Sequence, residues 1–243
     1  MIVAAVPIKD LRVAKQRLAS VLTLAEREHL ARAMLRDVLR ALGGAGFDHV
    51  WVVTCEPAVV AIARALGAEP LAEAENRGHT AAIALAQAEA ARRGARVFLT
   101  VPGDVPRVTA GELRELAGAA GEGTPAFAPS RSGLGTNGVA LAPPDAMPLT
   151  FGEPSFERHL GTARARGLSP HVLMLPGLGL DIDTPEDLSA LAAETAMTET
   201  GQLVAAWLTE PDRFGRVDRE CRSHAASVSG HPRNKPASRT PLQ

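Results

Sequence analysis

The feature that most constrains this chain is an alternation of short, continuously apolar runs with longer segments of helical period. Met1–Val6 is apolar throughout and closes at Pro7. Leu24, Leu30, Met34, Leu35, Val38, Leu39 and Leu42 then recur at helical spacings. Thr23 with Glu26 has the form of a capping box, and Gly43-Gly44 is expected to stop that helix. Val50–Val53 predicts the next strand, and Pro57–Leu66 a short helix ending at Gly67. Residues 79–92 are Ala-rich and read as helix, Val97–Val101 as a buried strand, and Thr109–Ala120 as helix. Pro125–Pro129 and Gly138–Ala142 read as strands around a Gly-rich loop. Ser155–Arg166 is expected to be helical, His171–Leu175 and Leu180–Asp183 short strands, and Pro185–Ala193 the last helix.

Strands that are apolar on both faces, alternating with helices, imply an α/β fold with a mostly parallel sheet covered by flanking helices. Ligands of such sheets bind at the carboxyl ends of the strands. The pattern fails after about Leu208. Residues 209–243 carry a local net charge of +3 against −4 for residues 1–208. The expected organisation is one domain over 1–208 and a basic, disordered tail over 209–243. Aromatic residues are 3% of the chain and the whole net charge is −1, which argues against a nucleic-acid partner. No run approaches the roughly 18 apolar residues of a membrane span. Cys55 and Cys221 form neither a metal motif nor a disulfide framework, so a reducing cytoplasm is the expected location.

Lysine is scarce. Only Lys9, Lys15 and Lys235 occur among 26 basic residues, and two of them follow the first strand. Together with Arg12 and Arg17 they make a cationic loop where a triphosphate can be held, although a solvated basic loop has the same letters. Val97–Val101 runs into Pro102-Gly103-Asp104-Val105-Pro106, which fixes a carboxylate at a strand end and suits a hard cation, or else a capped turn. Asp181 and Asp183 are two apart; in a strand they share one face, where paired carboxylates call for a cation. Asp183 or Thr184 could equally cap the following helix, with Glu186 and Asp187 as first-turn acids. Gly133–Gly138 matches G-x-G-x-x-G by letter, but it lies mid-chain before a strand, which excludes the dinucleotide reading. Its Thr136 and Asn137 can still donate to an anion. Ser155 begins a helix and can bind phosphate or simply cap it, with Arg158 and His159 one turn later as further charge.

In order along the chain, Val6-Pro-Ile-Lys9, Ala14-Lys15-Gln-Arg17-Leu18, Gly135-Thr136-Asn137, Phe151-Gly152-Glu-Pro-Ser155-Phe156-Glu-Arg-His159 and Asp181-Ile-Asp183-Thr-Pro-Glu-Asp-Leu188 resemble the guanylyltransferases of deazaflavin coenzyme F-420 biosynthesis. The likeness covers residues 1–208. It implies a nucleotidyltransferase-type α/β domain, similar to nucleotide-sugar pyrophosphorylases, with a mixed, mostly parallel sheet. It implies transfer of GMP from GTP to phosphoenolpyruvate, 2-phospho-L-lactate or 3-phosphoglycerate. By position it implies Mg²⁺ on Asp104, Asp181 and Asp183, and acceptor binding by Thr136, Gly152 and Ser155. Lys15 and Asp104 would be catalytic, with Lys9, Lys15, Arg17 and Thr80 on the nucleotide. Relatives carry Gly-Leu-Asn-Ala where this chain has Gly78-His79-Thr80-Ala81, so Thr80 offers a hydroxyl but no amide. A homodimer and hand-off of the product to the next pathway enzyme are also carried as expectations. Two other readings stay open: a related nucleotidyltransferase for a sugar phosphate or molybdenum-cofactor precursor, and a non-catalytic nucleotide-binding subunit.

Overall fold

The computed structural model describes residues 1–192 and 198–209. The expected tail, apart from Thr209, lies outside the described residues. The chain divides into two compact units, Met1–Ala205 and Ala206–Gln243. Of the second, only the last turn of one helix and Thr209 are described.

Seven strands form one sheet: β1 (Ile2–Pro7), β2 (His49–Thr54), β3 (Glu69–Ala72), β4 (Val97–Thr100), β5 (Ala126–Pro129), β6 (Thr136–Leu141) and β7 (His171–Val172). Their spatial order is β3-β2-β1-β4-β6-β5-β7, and β6 alone runs against the rest. The mixed, mostly parallel sheet is the one expected. β1 lies between β2 and β4, so the chain winds outward from β1 in one direction and restarts at β4 in the other. The loops after β1 and β4 therefore flank a crevice at a topological switch point, where α/β sheets take ligands.

The central strands are buried on both faces, as their continuous apolar runs require. Val3 and Ala5, Trp51 and Val53, Phe98, Phe127, and Val139 and Leu141 form one core cluster. Helices α3 (His79–Arg92) and α5 (Ser155–Ala165) complete it with Ile83, Ala86, Leu160 and Ala163. Helix α1 (Leu24–Ala45) buries Leu30, Met34, Leu35, Val38, Leu39 and Leu42 and lies against α4 (Ala110–Ala119). At roughly 2 kcal/mol per buried side chain, that stripe is worth on the order of 10 kcal/mol before chain entropy is subtracted. Both α1 and α4 start with a full capping box, Thr23 with Glu26 and Thr109 with Glu112. A last helix, α8 (Glu199–Leu208), is fastened through Asp37, whose carboxylate accepts from Glu199 N, Thr200 N and Thr200 Oγ1 at 2.9, 2.8 and 2.6 Å. No helix among the described residues is long and apolar enough to cross a membrane.

Several expectations need correction. Gly43-Gly44 does not stop α1; the helix runs to Ala45 and ends at Gly46, which takes the left-handed conformation at φ 73°. β3 and α8 were not foreseen. His171–Leu175 is a strand over two residues only. Leu180–Asp183 is not a strand: it is an irregular segment between a one-turn helix α6 (Pro176–Gly179) and α7 (Pro185–Ala192).

α6 aims that segment. Glu112, already capping α4, also accepts from Gly177 N at 2.7 Å, and a Cβ at Gly177 would collide with the Arg107 backbone. Gly177→Ala should therefore lower unfolding free energy by about 1–3 kcal/mol in urea titration. An unchanged midpoint would show that α6 moves freely instead.

Candidate active site

The site starts from Lys15. After β1 the chain makes two one-turn segments, Leu11–Val13 and Gln16–Leu18, and Lys15 between them is left-handed at φ 57°. That conformation is uncommon for a residue with a Cβ. It accompanies a buried contact: Lys15 Nζ donates to Asp104 Oδ2 at 2.5 Å and to Asp183 Oδ1 at 2.7 Å. The Lys15 side chain is 7% exposed, Asp104 31% and Asp183 41%. Burial opposes the charge on Lys15, but the two carboxylates overcome it and hold the ammonium above the usual lysine range.

Asp181 is held separately, by Asn137 Nδ2 at 3.1 Å. Burial raises its carboxyl above the usual range; the Asn137 hydrogen bond opposes this, and the charges of Asp104 and Asp183 add to it. The three acids thus feel one another, though Lys15 takes two and Asn137 the third. As the chain stands, no group of three His, Cys, Asp or Glu among the described residues is gathered for a metal ion. The face-sharing argument for Asp181 and Asp183 fails with the strand it assumed. Asp187 proves to be a first-turn cap: its Oδ2 accepts from Thr184 N at 2.9 Å and Thr184 Oγ1 at 3.0 Å.

A cleft of about 350 Å³ opens on this bridge, with Lys9, Asp10, His79 and Gly103 also in its wall. Of the four expected nucleotide residues, Lys9 and Lys15 line it. Arg17 and Thr80 do not. Arg17 is exposed on the second one-turn segment, and Thr80 Oγ1 accepts from Phe151 N at 3.0 Å. Thr80 therefore ties the start of α3 to the Gly152 loop. Its neighbour His79 reaches the cleft instead and packs on Phe151, ring centroids 4.3 Å apart.

The three expected acceptor residues gather beside that loop. Thr136 N donates to Ser155 Oγ at 3.0 Å, and Ser155 Oγ donates to Thr136 Oγ1 at 3.2 Å. Ser155 is the first residue of α5, not its cap, so the start of α5 carries no side-chain cap. Gly152, at φ 102°, turns the chain where a side chain would be strained. His159 adds no charge, contrary to expectation. It is 1% exposed, stacked on Phe127 and met edge-on by Phe151. Burial first, then Arg158 and His79, push its ring down to about 4. His79 is likewise pushed to about 4, by burial with Lys9 in support and Asp104 opposing. Asn137, expected as a donor to an anion, donates to the Asp181 carboxylate and to the Leu178 and Gly179 carbonyls; His79 had no assigned role in the sequence.

A sheet wound outward from a central β1, with a cation and carboxylates at its switch point, is the frame of a nucleotide-handling α/β enzyme, and its relatives make it a nucleotidyltransferase. A nucleotidyl transferase from Methanothermobacter thermautotrophicus shares the fold at TM-score 0.59 and 17% identity, over 79% of this chain and 95% of that one. Rv0371c from Mycobacterium tuberculosis, solved in complex with manganese, does so at TM-score 0.52 and 20% identity, over 80% and 99%. Residues 2–204 match the family described as guanylyl transferase, CofC like, and the chain belongs to that family. The phosphoenolpyruvate guanylyltransferase of Rubrobacter xylanophilus is 42% identical over 191 residues, 78% of this chain and 93% of its own length. The 2-phospho-L-lactate guanylyltransferase of Methanothermobacter thermautotrophicus is 37% identical over 188 residues, 77% and 82% of the two chains.

The two neutral histidines make stability depend on pH. Their folded values near 4 lie below the ordinary 6.5, so on acidification the unfolded chain takes up these protons first. Their contribution is complete above 6.5 and is lost as pH falls toward 4. Urea midpoints should fall between about pH 7 and pH 5, and His79→Gln with His159→Gln should flatten that fall. An equal slope in the double variant would contradict the assignment.

Proposed function

We propose that this guanylyltransferase joins the GMP of GTP to a small phosphorylated carboxylic acid in deazaflavin coenzyme F-420 biosynthesis, with phosphoenolpyruvate, 2-phospho-L-lactate and 3-phosphoglycerate as candidate acceptors. The observation that carries the reading is the Lys15 bridge between Asp104 and Asp183, in a cleft linked to the Thr136–Ser155 pair. The links are Asn137, which holds Asp181, and Phe151, which packs on His79.

The cleft takes the triphosphate, with Lys9 and Lys15 as its cations. Thr136, Ser155 and the start of α5, which has no side-chain cap, take the acceptor, and Gly152 lets the backbone come close. An oxygen of the acceptor phosphate attacks the α-phosphorus of GTP in line. The bond to the β-phosphate breaks, pyrophosphate leaves with the electron pair, and a GDP-linked acid forms. The nucleophile is already an anion, so no general base is required. The obstacle is repulsion between two anions, which Lys15 reduces by charge and the acceptor pocket by orientation.

Asp104, Asp181 and Asp183 are a hard oxygen donor set, and the Asp181 carboxyl is raised chiefly by burial, with the charges of Asp104 and Asp183 adding to it. These residues fit a divalent cation such as Mg²⁺ once a phosphate draws Lys15 from Asp104 and Asp183. When bound, that ion supplies further neutralisation of the phosphates.

Pyrophosphate release, followed across nucleotides and acceptors, tests this. Turnover is expected with GTP and one of the three phosphocarboxylates. Turnover only with a sugar phosphate would replace the acceptor class. GTP binding with no turnover under any acceptor would favour a non-catalytic subunit. Asp104→Asn should lose on the order of a hundredfold or more in kcat while staying folded by circular dichroism; near-normal kcat would remove Asp104 from the reaction.

A further inference from the structure

The hydrogen bonds around His159 have only one consistent direction. Thr150 N, a backbone donor, lies 3.0 Å from Nε2, so Nε2 must accept and cannot carry the ring proton. The ring is neutral, because burial keeps it so at physiological pH. Its single proton is therefore on Nδ1, which stands 2.9 Å from Thr136 Oγ1 and donates to it. Ser155 Oγ donates to the same oxygen at 3.2 Å and itself accepts from Thr136 N. A threonine hydroxyl has two lone pairs and one proton. Both lone pairs of Thr136 Oγ1 are taken, so its proton is left over, and no acceptor for it is found among the described residues. A nearly buried donor without an acceptor is costly unless a ligand supplies one. The stacking of Phe127 and the edge of Phe151 hold the ring that sets this polarity.

We propose that His159 is the positioning residue of the acceptor site: its Nδ1–H makes Thr136 a double acceptor, which commits the Thr136 hydroxyl proton to an anionic oxygen of the acceptor. Without that donor the Thr136–Ser155 bond is free to reverse, and the hydroxyl proton turns toward Ser155 and away from the acceptor. The inference rests on the reading of Thr136 and Ser155 as acceptor-binding and adds to it a residue that never touches substrate.

Two variants separate the two sides of the ring. His159→Asn presents an amide N–H where Nδ1 stands and keeps the donor to Thr136. His159→Gln reaches the Nε2 position, where its carbonyl serves Thr150 N, and leaves Thr136 without a donor. Kinetics are measured with phosphoenolpyruvate varied at saturating GTP and GTP varied at saturating phosphoenolpyruvate, with Mg²⁺ throughout. His159→Gln should raise the phosphoenolpyruvate KM by about tenfold or more, the worth of a hydrogen bond to a charged group, with the GTP KM within about twofold. His159→Asn should stay close to wild type. In a Thr136→Val background, His159→Gln should add nothing. Equal damage by both variants, or parallel rises in both KM values, would mean that His159 only fills space, and the proposal fails. A Thr136→Val variant with a wild-type phosphoenolpyruvate KM would instead overturn the acceptor-site reading, and the proposal with it. A measurement without variants stands beside these: the ¹⁵N shifts of His159 in the wild-type protein should report the neutral Nδ1–H tautomer at neutral pH, and an Nε2–H tautomer or an imidazolium would overturn the proposal.

Discussion

One ammonium group ties together three distant parts of this chain. Lys15 follows β1, Asp104 follows β4, and Asp183 precedes α7; the two contacts span 89 and 168 residues of sequence. Two carboxylates drawn onto one site repel unless a cation lies between them. Lys15 is that cation, and a lysine serves better than an arginine here because its charge is compact and its stem flexible. Such a buried bridge is weak evidence for stability, since desolvation consumes most of the attraction, and removing one partner strands the others. On the reading proposed above, its value lies in poise: a phosphate arriving in the cleft would compete with the carboxylates for the same cation.

The two halves of the site differ in kind. The side expected to meet the triphosphate is ionic, with Lys9, Lys15, Asp104 and Asp183 around one cleft. The side expected to meet the acceptor is neutral: Thr136, Ser155 and Asn137 are buried, and His159 is kept uncharged. This division suits the reaction. A nucleophilic phosphate oxygen loses reactivity when a cation sits on it, whereas neutral donors orient it with less cost to its charge. The donor triphosphate has the opposite need, because its leaving group gains negative charge as the bond breaks. Asn137 and the His79–Phe151 contact join the halves.

The strands with continuous apolar runs and the helices with strong period were legible because burial alone decides them; α3 covers residues 79–92 as expected. β3 was not legible, since Glu69-Pro-Leu-Ala is short, carries a charge and a proline, and becomes a strand only through its pairing with β2. α6 carried no expectation, since Pro-Gly-Leu-Gly is too short to show a period, and Glu112 fastens it by accepting from Gly177 N. Gly43-Gly44 misled because glycine permits a helix end without compelling one. Lys15 could be singled out from the scarcity of lysine. Its partners could be named from resemblance, but the bridge itself is a fact of topology. The roles of His159 and Asn137 depend on partners 23 and 44 residues away, which no local spacing encodes.

The central claim is that the carboxylates on Lys15, with Asp181, form one cradle where a nucleotide and a divalent cation meet. Manganese binding, followed by electron paramagnetic resonance with and without GTP, tests it most directly. The account predicts one Mn²⁺ per chain that tightens when GTP is added, because the triphosphate draws Lys15 from the acids, and loss of that tight site in Asp183→Asn. Mn²⁺ binding in Asp183→Asn equal to wild type in the presence of GTP would contradict it.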